Sequence, residues 1–119
     1  MIMVFVFIFV LVIVSEDSIG GTVYSSIGES AVLVCNINSQ AISYRWRKNN
    51  HVLSYGSQIN NNTHGYDRYK IINSGETYSL RILNISLEDF GLYLCSMQLN
   101  QKTVEKRFFL KNTLGKYLF

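Results

Sequence analysis

The residues best placed for covalent chemistry are two asparagines and two cysteines. Asn61-Asn62-Thr63 and Asn84-Ile85-Ser86 are Asn-x-Ser/Thr tripeptides, the acceptor pattern for an N-linked glycan. Both fall where loops or strand ends are expected, so Asn61 and Asn84 are candidate glycosylation sites. Cys35 and Cys95 are the only cysteines and lie 60 residues apart. They can oxidise to one bridge, as in a secreted domain, or remain two buried thiols in a reducing compartment. The sequons and an apolar amino-terminal run favour the bridge.

Other chemistries lack their residues. His51 and His64 are the only histidines, on different segments, and neither has Cys or carboxylate partners at ligand spacing, so no metal site is expected. Serines are many, yet none belongs to a nucleophile–base–orienter set with a histidine. Asp67 beside Arg68 reads as a solvated pair or as part of a longer-range bridge, not as an acid–base device. There is no Gly-rich phosphate loop. The expectation is no catalytic residue, no metal and no cofactor, in a protein that is not an enzyme.

The composition allows a packed core. Of 119 residues, 48% are hydrophobic and 13% aromatic, outside the disordered range. Net charge is +3, with basic residues scattered from Arg45 to Lys116. Nucleic acid asks for a denser basic stripe, so no such partner is expected. Residues 1–14 are wholly apolar, and Ser15-Glu16-Asp17 ends the run. Fourteen residues fall short of the roughly 20 that span a bilayer and match the apolar region of a signal peptide. We read 1–18 as a signal peptide with cleavage between 14 and 21, 22–112 as one domain, and 113–119 as a C-terminal tail. No second apolar run follows, so the chain is expected to carry no membrane span of its own and to be secreted or extracellular.

Strand periodicity dominates the domain. Ala31, Leu33 and Cys35 alternate with outward Val32 and Val34. Ile42, Tyr44 and Trp46 alternate with Arg45 and Arg47, which places the first three inward. Residues 51–56 read as a short returning strand, and 57–65 as a polar loop or weak edge strand. A strand restarts at Asp67, and after a turn Tyr78, Leu80 and Ile82 share one face. Ile85 and Leu87 are expected to cover the bottom of the core. Asp89-Phe90-Gly91 is a tight corner leading into Leu92-Tyr93-Leu94-Cys95. Met97 continues inward while Ser96 and Gln98 face out. In the last strand, 103–111, either Phe108 and Leu110 or Phe109 point in, since a one-residue slip exchanges them.

Cys35, Trp46 and Cys95, with Tyr93 two residues before the second cysteine, form the Cys…Trp…Cys frame and tyrosine corner of an immunoglobulin sandwich. Over about residues 22–112 the chain resembles a variable- or intermediate-type immunoglobulin-superfamily domain. The segments Trp46-Arg47-Lys48-Asn49-Asn50 and Asp67-Arg68-Tyr69-Lys70-Ile71, with the run from Tyr78 to Cys95, are similar to first domains of invertebrate neuronal adhesion proteins of the lachesin and defective-proboscis-response type. The resemblance implies an all-β, two-sheet antiparallel Greek-key sandwich, with Trp46 against a Cys35–Cys95 disulfide. It also implies a bridge from Arg68 to Asp89 across the bottom of the sandwich, beside Gly91 and Tyr93.

The resemblance further implies a recognition module for cell adhesion or immune-type recognition. The candidate partner-binding face is the outer face of the sheet containing Trp46: Arg45, Arg47, Leu92, Leu94, Ser96, Gln98 and, when Phe108 and Leu110 face in, Phe109. The expected partner is a protein, a homophilic or heterophilic immunoglobulin-superfamily domain. The loops after Cys35 and after Gln98 form a second candidate site at one end. The alternative readings are a soluble decoy of a full-length relative, or a fragment of a multi-domain adhesion receptor.

Overall fold

In the computed structural model, which describes residues 16–116, the alternating segments form strands β1 (Glu16–Ser25), β2 (Ala31–Leu33), β3 (Ser43–Lys48), β4 (His51–Val52) and β5 (Ser54–Tyr55). These are followed by β6 (Gln58–Ile59), β7 (Tyr69–Ser74), β8 (Thr77–Ile82), β9 (Gly91–Gln98) and β10 (Thr103–Asn112). A single helical turn, α1 (Thr113–Lys116), occupies the start of the expected tail. The apolar run 1–14 of the expected signal peptide lies outside the described residues, as do 117–119.

Two sheets face one another: β1-β10-β9-β3-β4 and β2-β8-β7, with β5-β6 as a separate hairpin. This is the expected two-sheet sandwich. Its ladders are antiparallel except one, because β1 runs parallel to β10 from Glu16↔Val104 to Ser25↔Asn112. The sequence pattern predicts no strand over 16–25, yet β1 forms there and takes in the end of the expected leader. The β1 register shifts between Ile19 and Gly21. A Cβ on the intervening Gly20 would run into the Phe108 ring, so glycine is what lets the strand close over that aromatic.

The core fills the space between the sheets. Leu33, Leu80 and Ile82 come from one sheet, and Trp46, Tyr93, Phe108 and Leu110 from the other. Burial of Phe108 and Leu110 settles the open register of β10 and turns Phe109 outward. Each fully buried large apolar side chain contributes roughly 1.5–3 kcal/mol. Tyr78 ties the layers together. Its ring lies 4.6 Å from that of Tyr44, its carbonyl accepts the Trp46 indole N–H at 3.2 Å, and its hydroxyl donates to the Gly56 carbonyl at 2.6 Å. Burial pushes the Tyr78 hydroxyl pKa up to about 12.

Several expected placements need correction. Ile42 is 69% exposed, because β3 begins at Ser43, although the Ile42 N–H still bonds the Gln98 carbonyl. Leu87 is 71% exposed, because it opens a 3₁₀ turn, Leu87–Asp89, that spends its inward position on Asp89. The returning strand at 51–56 is split at Leu53. There Leu53 and Ser54 are buried in succession, and the Ser54 hydroxyl oxygen takes the Trp46 backbone N–H at 3.1 Å. The strand expected from Asp67 begins at Tyr69, since Tyr66–Arg68 forms another 3₁₀ turn.

Candidate functional site

The end of the sandwich that carries the Asp89 corner is held by a polar knot. Gly91 has φ 141°, a conformation that L side chains rarely adopt, and so turns the chain from the 3₁₀ segment into β9. Asp89, 2% exposed, receives both arms of Arg68: Nη1 to Oδ2 at 2.7 Å and Nη2 to Oδ1 at 2.9 Å. The Ser86 N–H and hydroxyl and the Tyr69 hydroxyl also donate to its carboxylate, at 2.7, 3.2 and 3.4 Å. Burial pushes the Asp89 carboxyl up, but the Arg68 hydrogen bonds, the Ser86 donors and the guanidinium charge outweigh it and hold the pKa below the usual carboxylate value. Lys48 adds a second cation, with Nζ donating to the Glu88 carbonyl and standing 5.2 Å from the Tyr93 ring centre; burial lowers its pKa.

Tyr93 completes the corner by donating its hydroxyl to the Asp89 carbonyl at 2.5 Å. Burial pushes that hydroxyl well above its ordinary pKa. Tyr93→Phe is expected to cost about 1–3 kcal/mol, since a buried carbonyl loses its donor. A urea midpoint shifted by less than the corresponding amount, at unchanged slope, would show the bond to be dispensable.

Across the middle of the sandwich, Cys35 and Cys95 are bonded as a disulfide with Cα atoms 6.5 Å apart. Both cysteines and Trp46 are fully buried.

The outer face of the five-stranded sheet follows from register. Arg45, Ser96 and Glu105 form one row, and Arg47, Leu94 and Arg107 the next. Leu92 pairs with Phe109 in the row nearer the Asp89 corner, and Val52 stands opposite Arg47 on β4. Arg45 is exposed, while Arg47, Leu92, Leu94, Gln98 and Phe109 are half-buried. Ser96 departs from expectation. It does point to this face, but at 4% exposure it lies beneath Glu105, to which its hydroxyl donates at 2.8 Å. Glu105 also pairs with Arg47 at 3.4 Å, a partly exposed bridge worth at most about 1 kcal/mol. Gln98 is engaged within its own hairpin, accepting from the Thr103 hydroxyl at 2.7 Å.

Three residues of this face escaped the sequence reading: Val52, Glu105 and Arg107. Alternation about an inward Phe108 would have found the latter two, but the register of β10 was open.

Asn61 and Asn84 are both exposed, so each can carry a glycan without disturbing the core. Asn84 has φ 51°, and its carbonyl accepts from Arg68 Nη1 at 3.1 Å. Thr63 of the other sequon is buried, with its hydroxyl 2.8 Å from His51 Nε2. No group of three or more His, Cys, Asp or Glu able to hold a metal occurs among the described residues. None of their helices is long and apolar enough to cross a membrane.

A family model for the immunoglobulin domain matches residues 18–98. The chain belongs to the immunoglobulin-domain family. Solved immunoglobulin-containing structures share its fold. A complex of Dpr2 Ig1–Ig2 with DIP-Theta Ig1–Ig3 aligns at TM-score 0.68 and 17% identity, over 79% of this chain and 32% of that one. The Ig1 domain of mouse SynCAM 2 aligns at TM-score 0.61 and 21% identity, over 78% and 93%. An I-band fragment of titin aligns at TM-score 0.61 and 20% identity, over 78% and 30%. The chain therefore spans about a third of the titin fragment and of the Dpr2 complex chain. Comparison with curated protein sequences returns no match.

Proposed function

We propose that this immunoglobulin domain is an extracellular recognition module that binds another immunoglobulin-superfamily domain through the outer face of its five-stranded sheet. The observation that carries the reading is Leu94. It is a half-buried apolar side chain at the centre of the face, flanked in register by Arg47 and Arg107. The Leu92–Phe109 pair continues the apolar strip one row away. An apolar centre bordered by arginines is the composition that concentrates binding energy in protein interfaces. The lachesin-like and Dpr-like character of the sequence supports the same reading, as does the existence of a Dpr–DIP complex among its structural neighbours. In this reading residues 1–18 direct export, and glycans on Asn61 and Asn84 mark solvent-facing edges.

Leu94→Glu sets a carboxylate between two arginines, which spares the fold while placing a charge at the centre of the contact. It is expected to weaken partner binding about 30-fold, the loss typical of an interface hot spot. Sedimentation over a concentration series reads self-association, and capture on beads displaying immunoglobulin ectodomains reads heterophilic pairing. A reversible dimer abolished by the substitution makes the contact homophilic. A monomer captured by one ectodomain, and released by the substitution, makes it heterophilic. Binding that is indifferent to Leu94→Glu, at unchanged melting temperature, would place the contact elsewhere.

A further inference from the structure

The outer face of the three-stranded sheet follows from its ladders. Val32 stands opposite Arg81, and Arg81 opposite Lys70, so these three form one row. Leu33↔Leu80 and the Asn36↔Thr77 bridge keep one register, which sets Val34 against Ser79, and Ser79 faces Ile72 on β7. Val32, Val34, Ile72, Lys70 and Arg81 are all exposed. Ser79 alternates outward as well, yet it is buried between Val34 and Ile72. The face is an apolar row lying against a cationic one.

The cationic row is a conflict within the fold. Lys70 and Arg81 are direct cross-strand neighbours with Cβ atoms about 5 Å apart, and like charges so placed destabilise a sheet. Neither has a carboxylate partner among the described residues, whose ion pairs are Arg47–Glu105 and Arg68–Asp89. No acidic residue occupies either row. Glu29, Asp67 and Glu76 lie beyond the strand ends. Glu29 accepts from the Ser26 N–H at 3.0 Å, and Glu76 sits in the β7–β8 turn, about 16 Å along the strand from Arg81. A repulsive pair kept beside exposed apolar side chains breaks a local rule without an internal gain, which is the mark of a functional surface.

We infer that this face is a second docking surface, for a protein partner that presents a pair of carboxylates beside apolar side chains. Charge complementarity carries the choice. A carboxylate set between Lys70 and Arg81 removes their repulsion, and the Arg81 guanidinium can hold it by two parallel N–H···O bonds. Val34 and Ile72 then leave water against the partner's apolar groups. Polybasic adhesion to an anionic membrane uses about 4–8 clustered cations, and this row offers only Lys70 and Arg81. A second copy docked face to face would oppose the same cations to one another. The surface lies on the other sheet from Leu94 and does not depend on the function proposed for that face.

The test is a methyl NMR titration of the purified protein with acetyl-Val-Glu-Glu-Ile-amide, acetyl-Val-Gln-Gln-Ile-amide and vesicles containing phosphatidylserine. The acidic peptide is expected to shift the Val32, Val34 and Ile72 methyl signals saturably. The glutamine peptide is expected to bind at least about tenfold more weakly. Arg81→Glu turns the repulsive pair into an attractive one. It is expected to raise the melting temperature by about 2 °C or more while weakening the acidic peptide at least about tenfold. A purely structural role for Arg81 would not move the two readouts in opposite directions. Lys70→Gln removes the repulsion without adding an acid, and is expected to weaken the acidic peptide about threefold with no loss of melting temperature.

Equal binding of the two peptides would overturn the inference by making the face merely apolar. Tighter binding to the vesicles than to the acidic peptide would replace the protein partner with a lipid surface. Self-association abolished by Arg81→Glu would replace it with a second copy. Shifts scattered away from Val34 and Ile72 would remove the site altogether. A lower melting temperature in both variants would show that the pair is not in conflict and would also overturn the inference. Should Arg81→Glu alone fail to fold, Lys70→Gln and the two peptides on the unaltered protein decide the matter.

Discussion

Arg68→Met is expected to cost about 3–5 kcal/mol at neutral pH, among the largest losses any single substitution in this domain can produce. The reason is what it leaves behind. Asp89 is 2% exposed, and without the guanidinium its carboxylate remains in the interior with only the Ser86 and Tyr69 donors. Arg68 also donates from Nη1 to the Leu83 and Asn84 carbonyls, so the substitution strips donors from the β8 end as well.

The pH dependence separates this mechanism from simple loss of packing. In the unaltered protein the Asp89 pKa is depressed, so its contribution is fully present above the unfolded carboxylate value of about 3.9 and disappears as pH falls through the lower folded value. In the variant, burial is no longer opposed by the guanidinium, and the folded pKa moves upward. The acid-side decline should therefore flatten. Urea midpoints measured from pH 7 to pH 3 check both statements: a parallel offset at every pH would mean that charge is not the cause.

Replacing both Cys35 and Cys95 with alanine is expected to remove about 4 kcal/mol, the chain-entropy value for a loop of 60 residues. A domain of this size has roughly 5–15 kcal/mol in total, so the variant should sit close to its unfolding threshold at physiological temperature. Trp46 packs in the same layer and should lose its rigid environment, which near-ultraviolet circular dichroism detects. Because both cysteines are wholly buried, reduction of the unaltered protein by a small thiol should proceed no faster than global unfolding. A reduction rate that scales with thiol concentration under native conditions would show that the bridge opens locally. A double variant that melts within a few degrees of the parent would show that sandwich packing alone suffices.

The features legible in the sequence are those with a local signature. The Asp89-Phe90-Gly91 corner follows from turn chemistry, and Tyr93 two places before Cys95 shares its face by strand period; Trp46 eleven after Cys35 is implied by the immunoglobulin resemblance, and the Tyr93 hydroxyl bond and the Cys35–Cys95 bridge are both present in the fold. The features it hid depend on what lies across a sheet. Ser96 alternates outward as expected, yet Glu105 on the neighbouring strand covers it. Leu87 looks like a core residue until the 3₁₀ turn assigns the inward position to Asp89. The pairing of β1 with β10 has no local mark, because Glu16–Ser25 is polar and glycine-containing and its partner begins more than 80 residues later. The candidate face shows the same division. Arg45, Arg47 and Leu94 could be placed from β3 and β9, but Glu105 and Arg107 required the register of β10.

That pairing of the first strand with the last also bears on how the domain is made. A ribosome releases β1 early and β10 late, and β1 has no other hydrogen-bonded neighbour in its sheet. Cys95, too, emerges long after Cys35. The nascent chain must therefore hold an unpaired thiol until Cys95 emerges and an unpaired strand until β10 does, and can complete its largest sheet only when residues 103–112 appear. Interrupting translation before that point would yield a chain with β1 and one edge of β9 bare, a surface that recruits other strands. For this domain, protection from aggregation depends on finishing the last ten-residue strand.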